Sequence, residues 1–336
     1  MSDPVGTFTH LLRLSDDRGV FEHARDTVPL PEHGYCVDDV ARALLMVMRE
    51  PAPAPAVAAL GDRCLSFVAS AQSPHGEFRN RLGRDGRWQD TPGTGDWWGR
   101  ALWALGATAA RHPDPASRAA ARACFDLGAT RRSPFRRSMA FAILGTAEVV
   151  ASTGLDADLR ALLVDGIAAV GHSRSDPSWP WPEARLSYAN AVLPESLIAA
   201  GNALGDDDVL ADGLHLLHWL LSVETNGDHF SPTAVGGWGP DEERAVFDQQ
   251  PIEVAALADA CARAFDVTGD PEWQEGLDRA ISWFSGNNDA SSALRDSQSG
   301  GGFDGLTAGG VNANEGAEST IALISVTQHA QRLATR

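Results

Sequence analysis

No run of apolar residues in this chain approaches the ~20 needed to cross a bilayer, which excludes a helical membrane span. The opening, Met1-Ser2-Asp3-Pro4, lacks a basic stretch followed by an apolar core, so no secretory leader is expected and the expected compartment is the cytoplasm. Cysteine is scarce: Cys36, Cys64, Cys124 and Cys261 are scattered singly, each within a helix-like stretch. That spacing excludes a CxxC redox or zinc motif and reads as small buried side chains in a reducing compartment. HExxH and EF-hand patterns are also missing, so neither metal nor cofactor is expected. His215 and His218, three residues apart beside Trp219, read as packing residues on a helix. Gly300-Gly301-Gly302 is not followed by Lys and Ser/Thr, which excludes a phosphate loop, and no GxSxG nucleophile elbow occurs. Positive charge is outweighed, 27 basic against 45 acidic residues, for a net charge of −18. Such a surface excludes nucleic acid and anionic membranes as partners.

What the chain does have is helix-forming sequence. Its 336 residues are 43% hydrophobic and 21% charged, values typical of a soluble globular protein with a sizeable core. Ala-rich segments with a 3.6-residue period cover approximately 4–14, 36–49, 54–72, 96–111, 114–128, 134–153, 156–173, 187–204, 206–224, 250–268, 271–285 and 315–333. Asp114-Pro115, Ser133-Pro134 and Asp270-Pro271 each place Pro just inside a helix after a capping residue. Gly201, Gly269 and Gly286 stand where helices should stop. Strand-like alternation is rare, and residues 76–82 with 84–88 form the one short hairpin that the pattern predicts. About twelve helices in six pairs predict an all-α fold, an (α/α)6 toroid with short β-hairpin loops at the cavity mouth. Pro51-Ala52-Pro53-Ala54-Pro55 is a stiff connection and no linker divides the chain, so a single domain spanning 1–336 is expected.

Six helix-like stretches open just after loops crowded with Gly, Trp, Asp or Asn, at a mean spacing of roughly 55 residues. Carboxylates recur there: Asp38 and Asp39, Asp96, Glu195, Asp248 with Glu253, and Glu315 with Glu318. Any one of them would suit a helix N-terminus for the dipole alone. Several converging on one cavity would instead raise a carboxyl's pKa and make it a general acid. The expected catalytic residues are Asp39, Asp96, Glu195 and Glu253, with Asp96 as acid and Glu253 or Glu195 as base. Trp97, Trp98, Trp179, Trp181 and Trp238 stand in or beside these loops, as does Tyr35. Flat apolar faces stack on pyranose rings, whereas Trp103 and Trp219 lie within helical segments and read as core. Asp38, Arg79, Arg100, Tyr188, Asn190, Asp248, Gln249, Gln250, Asn314 and Glu318 are the expected partners for sugar hydroxyls.

The chain resembles the bacterial six-hairpin glycosidase-like proteins, and within them a glycosyltransferase-associated branch found beside or fused to sugar transferases. The resemblance is carried by His33-Gly34-Tyr35-Cys36-Val37-Asp38-Asp39-Val40-Ala41-Arg42-Ala43-Leu44 and by Gly95-Asp96-Trp97-Trp98-Gly99-Arg100-Ala101-Leu102-Trp103-Ala104-Leu105-Gly106. It continues through the segments 186–195, 247–255 and 314–320. It implies a saccharide substrate and, as a further possibility, a glycosyltransferase partner, although the Rossmann halves of a nucleotide-sugar enzyme are missing here. Three activities follow as expectations. The first is a glycoside hydrolase cleaving short oligosaccharides, inverting because many carboxylates are present without a nucleophile motif. Second comes a sugar epimerase or isomerase, for which His33 and His229 would be the acid/base residues. The third is a non-catalytic carbohydrate-binding partner of a transferase.

Overall fold

The computed structural model describes residues 6–335. Helices α1 (Thr9–Arg13), α2 (Val37–Arg49), α3 (Pro55–Ala71), α4 (Asp96–Arg111), α5 (Pro115–Ala129), α6 (Arg136–Thr153) and α7 (Ala157–Val170) belong to one compact unit. The second unit begins at Gly171 and holds α8 (Val192–Leu204), α9 (Asp207–Val223), α10 (Pro251–Thr268), α11 (Pro271–Phe284) and α12 (Ala317–Ala334). Four short antiparallel pairs decorate them. β1 (Ala24–Arg25) pairs with β2 (Val28–Pro29), β3 (Tyr35–Cys36) with β4 (Arg81–Leu82), β5 (Thr225–Asn226) with β6 (His229–Phe230), and β7 (Gly305–Thr307) with β8 (Gly310–Asn312).

Each unit is layered. In the first, α4 packs between α2 and α6, while α3, α5 and α7 flank that row. Burial separates the two layers: α4 is buried at every residue from Trp98 to Thr108, whereas α5 buries only Ala121, Phe125 and Gly128. The first is the signature of a helix enclosed on all sides, the second of a helix presenting a single stripe. The same division holds in the second unit, where α10 packs against α8 and α12, with α9 and α11 outside. In α8, Val192 to Gly201 are buried without a break.

Local chemistry explains most boundaries. The Asp114, Asp206 and Asp270 side chains accept from Ser117 N–H, Val209 N–H and Glu272 N–H, satisfying first-turn donors of α5, α9 and α11. Gly269 closes α10 in the left-handed conformation, as expected of a C-terminal glycine. Three expectations need correction. The stretch 187–204 is helical only from Val192, because Ala189 sits at φ 44°, outside the helical region. Gly201 does not stop that helix; it lies inside α8, where a Cβ would come within 2.5 Å of Leu210 N on α9. The hairpin expected over 76–82 with 84–88 is reduced to its Leu82–Trp88 end, with Gly83 N–H on Arg87 O and Gln89 N–H on Arg81 O, and Arg81 and Leu82 also pair with Cys36 and Tyr35. Residues 4 and 5 of the first expected helix lie outside the described residues.

Candidate active site

In the first unit the N-terminal turns of α2, α4 and α6 are tied side by side. Asp38, in the first turn of α2, lies 3.4 Å from Arg100 Nε on α4. Asp96, which opens α4, accepts a 2.7 Å hydrogen bond from the Ser138 hydroxyl on α6. Arg100 rests 4.0 Å above the Phe141 ring, a cation–π contact that fixes its plane. The start of α2 is organised by a segment 43 residues further along the chain: Asn80 Oδ1 accepts from Val37 N–H at 3.0 Å, and Asp90 accepts from the N–H groups of Asn80 and Arg81. Burial holds the Asp38 carboxyl above its ordinary range; Arg100 and Arg42 pull it down, while Asp96 pushes it further up. A carboxyl whose pKa is raised, in the field of a second carboxylate, is the arrangement a general acid needs.

Asp39 is placed differently from its neighbour. It is 2% exposed, accepts from Arg42 Nη2 at 2.6 Å and takes the Cys36 thiol hydrogen at 3.0 Å. Glu22, Cys36 and Asp39 offer ligand atoms within 4.8 Å of one another, a spacing compatible with a metal ion. Arg42 and Arg81 already pair with Asp39 and Glu22, so the cluster is charge-balanced as it stands. Tyr35 is buried, stacked on Phe21 and donating its hydroxyl to Asp16, a core role in place of the expected contact with sugar. Trp98 is fully buried with Nε1 on Gly128 O, while the partly exposed Trp97 donates to Phe78 O. Arg79 is half-buried beside Asn80. His33 is exposed, edge-on to His23.

The second unit carries its own polar cluster. Glu195, 2% exposed on α8, pairs with Arg263 of α10 at 2.9 Å. Glu253, 4% exposed in the first turn of α10, accepts from the backbone N–H groups of Ala189 and Asn190 at 2.6 and 3.3 Å. Asn190 is buried, its Oδ1 accepting from Ser187 N–H, and its side chain also reaches Glu224. Glu224 was not singled out by sequence. Burial raises its pKa against the opposing hydrogen bonds of Thr233 and the nearby Arg244. Gln249 is buried, with Nε2 donating to Asp289 Oδ2 at 2.7 Å. Asp289 also accepts from Asn226 and lies 3.1 Å from His229 Nε2; burial opposes its charge, but hydrogen bonds from Ser231, Gln249, Asn226 and His229 hold its pKa below the usual range. Asp248 is exposed, Gln250 stands at the N-cap position of α10 with no side-chain capping bond, Asn314 accepts Asp304 N–H through its backbone, and Glu318 is half-buried in the first turn of α12.

The Trp residues of this unit correct an expectation. Trp179 and Trp181 are buried, Trp181 at 0%, and form one aromatic cluster with Trp219 and the half-buried Trp238, ring centroids 5.2 to 5.8 Å apart. Trp179 meets Trp219 and Trp238 edge to face and Trp181 stacks on Trp219, contacts that fill a core and leave neither Trp179 nor Trp181 exposed to a ligand. Arg263, Asp289, Arg244 and Asn80 escaped the sequence reading because each meets its partner only after the chain has returned from a distant element.

No protein-family model matches the chain, and no curated protein matches its sequence. Solved structures do. It is similar to the cellobiose 2-epimerase of Spirochaeta thermophila at 14% identity and TM-score 0.69, over 96% of this chain and 93% of that one. A D-mannose isomerase aligns at 10% identity and TM-score 0.71, covering 99% and 96%. The GH76 alpha-mannanase of Bacteroides thetaiotaomicron aligns at 10% identity and TM-score 0.68, covering 99% and 95%. Three different reactions share one scaffold, so these likenesses show the fold, the all-α (α/α)6 class, and leave the chemistry to the residues above.

Proposed function

We propose that the chain is a carbohydrate-active enzyme, a glycoside hydrolase of short oligosaccharides in which Asp38 donates the proton. The observation that carries this reading is the Asp38 carboxyl itself, raised by burial and set beside Arg100 and Asp96 at adjoining helix N-termini. Its proton would pass to the glycosidic oxygen as the bond to the anomeric carbon breaks. Asp96, held by Ser138, is the partner carboxylate that would activate water for attack with inversion. This moves the acid from Asp96 to Asp38 and releases Asp39 to a structural role. The likeness to sugar-processing enzymes supports the substrate class.

An epimerase is the second reading, favoured by one observation. His229 is held through Nε2 by Asp289, a carboxylate fixed by Gln249 and Asn226, while Nδ1 lies 3.3 Å from the exposed Asp228. An imidazole oriented by a carboxylate is the usual form of a histidine acid/base.

A turnover screen on disaccharides, read by chromatography and by NMR of the product anomer, separates the two. Hydrolysis yields two monosaccharides, and the Asp38→Asn variant should lose roughly 10²–10⁴-fold in rate while His229→Ala retains turnover. An isomer of unchanged mass, abolished in His229→Ala, would replace the hydrolase by the epimerase. Sugar binding without turnover would leave the transferase-partner role. Because the protonated Asp38 is the active form, the wild-type rate should fall as pH rises through its raised pKa, and that limb should vanish in Asp38→Asn.

A further inference from the structure

The segment leading into α8 is held at almost every residue. Leu186 exchanges both backbone bonds with Trp238, at 2.9 and 3.1 Å. Ser187 N–H is taken by the Asn190 side chain at 3.0 Å. Ala189 stands at φ 44°, the left-handed region that glycine adopts freely and a residue with a Cβ resists. What keeps it there is Glu253, 64 residues further along, whose Oε1 accepts Ala189 N–H while Oε2 accepts Asn190 N–H. Charged acceptors on backbone amides are among the stronger hydrogen bonds, and here both oxygens of one carboxylate serve the same turn. Between these anchors lies Tyr188, 49% exposed. The chain has two tyrosines, and the other, Tyr35, is buried with its hydroxyl on Asp16.

We propose that Glu253 is a positioning residue and not the catalytic base, locking Ala189 in the left-handed turn so that Tyr188 is displayed as the stacking face for a pyranose ring. The substrate class rests on the carbohydrate reading; the positioning rests on the geometry of the turn. An aromatic ring on a fixed backbone presents a flat apolar face with only its own two χ angles left to order on binding, which lowers the cost of stacking on sugar C–H groups.

The test uses cellobiose, mannobiose and maltose as probes, with two readouts on the full chain: calorimetric binding, and nitration of Tyr188 followed by peptide mass mapping. Wild type should be protected at Tyr188 by at least one probe, and Tyr188→Ala should bind that probe at least about tenfold more weakly. Glu253→Gln, which turns one acceptor into a donor facing an amide, should weaken binding by about tenfold. Adding Ala189→Gly should restore affinity to within about threefold of wild type, because glycine holds the turn without help. A catalytic Glu253 would lose turnover with affinity intact and would gain nothing from Ala189→Gly. Wild-type affinity in Tyr188→Ala, or a Glu253→Gln defect that glycine fails to rescue, overturns the proposal. Should Glu253→Gln fold poorly, recovery in the double variant still supports it, and the Tyr188→Ala arm stands alone. A wild-type protein that binds none of the probes and shows no protection defeats the carbohydrate reading itself, and this inference with it.

Discussion

Asp38 and Asp39 are chemically alike, and successive residues on a helix project about 100° apart, so tertiary neighbours give them opposite duties. Asp39 meets Arg42 and the Cys36 thiol in the interior, while Asp38 reaches Arg100 and feels Asp96. Removing one partner of a buried pair leaves an uncompensated charge, so Asp39→Asn should lower Tm clearly more than Asp38→Asn, the loss for a fully buried pair being about 3–5 kcal/mol. Comparable melting of the two variants in calorimetry would reverse the assignment. The cations around these acids are all arginine or histidine: the chain contains no lysine. Each guanidinium stays charged and offers a fixed fork of donors, which suits Arg100, Arg42 and Arg263 for holding carboxylates in set planes.

Among the elements, α4 and α6 depend on glycine for their separation. A Cβ on Gly99 would come within 2.2 Å of Ser138 O, and one on Gly106 within 2.3 Å of Gly145 O. Gly145 in turn would press on Leu102 O at 2.4 Å. The obstacle is backbone in every case, which no rotamer change relieves, so Gly99→Ala or Gly145→Ala should cost about 1–3 kcal/mol in denaturant unfolding. Gly99→Ala should also disturb the Asp96–Ser138 contact, since Ser138 is the residue displaced. The N-terminus of α2 has no side-chain cap of its own and borrows Asn80. Asn80→Ala should therefore destabilise by about 1 kcal/mol and loosen the placement of Asp38, visible as a lower rate with the pH limb shifted.

For the whole molecule, acidity and burial set the response to pH and to reagents. Asp38 and Glu224 both have folded pKa values raised by burial. The folded state then binds protons more tightly than the unfolded one, so their contribution to stability falls as pH rises from the ordinary carboxylate range through the raised values. Glu224→Gln keeps an acceptor for the two Thr233 donors and should flatten that fall in calorimetric scans taken upward from the ordinary carboxylate range. Burial also pushes the Cys64 and Cys261 thiols up to about 12 and raises Cys36 well above the ordinary thiol value. All four cysteines are free, and Cys124 alone is only half-buried. A thiol reagent on the native protein should therefore label Cys124 first and the others only on unfolding. Among the described residues no helix is long and apolar enough to cross a membrane.

Periodicity and caps made the helices legible. The periodic stretch 96–111 coincides with α4, and Asp114 and Asp270 cap their helices as their sequence positions imply. These signals work because a helix is decided by residues three and four apart. The start of α8 escaped because a left-handed Ala189 is imposed by a carboxylate 64 residues away, and no local pattern announces it. The candidate site divides along the same line. Sequence alone placed acids at helix N-termini, where the dipole favours them, and collected Trp near the connecting loops. Only the tertiary structure decided that Trp98, Trp179 and Trp181 are core, that Asp39 and Glu253 bind their own protein, and that Asp38 meets Arg100 in the field of Asp96. Helices and their capping bonds are written in neighbouring residues, whereas burial, the long-range hydrogen bonds and the fields that tune a carboxyl are set by whatever the fold brings from far along the chain.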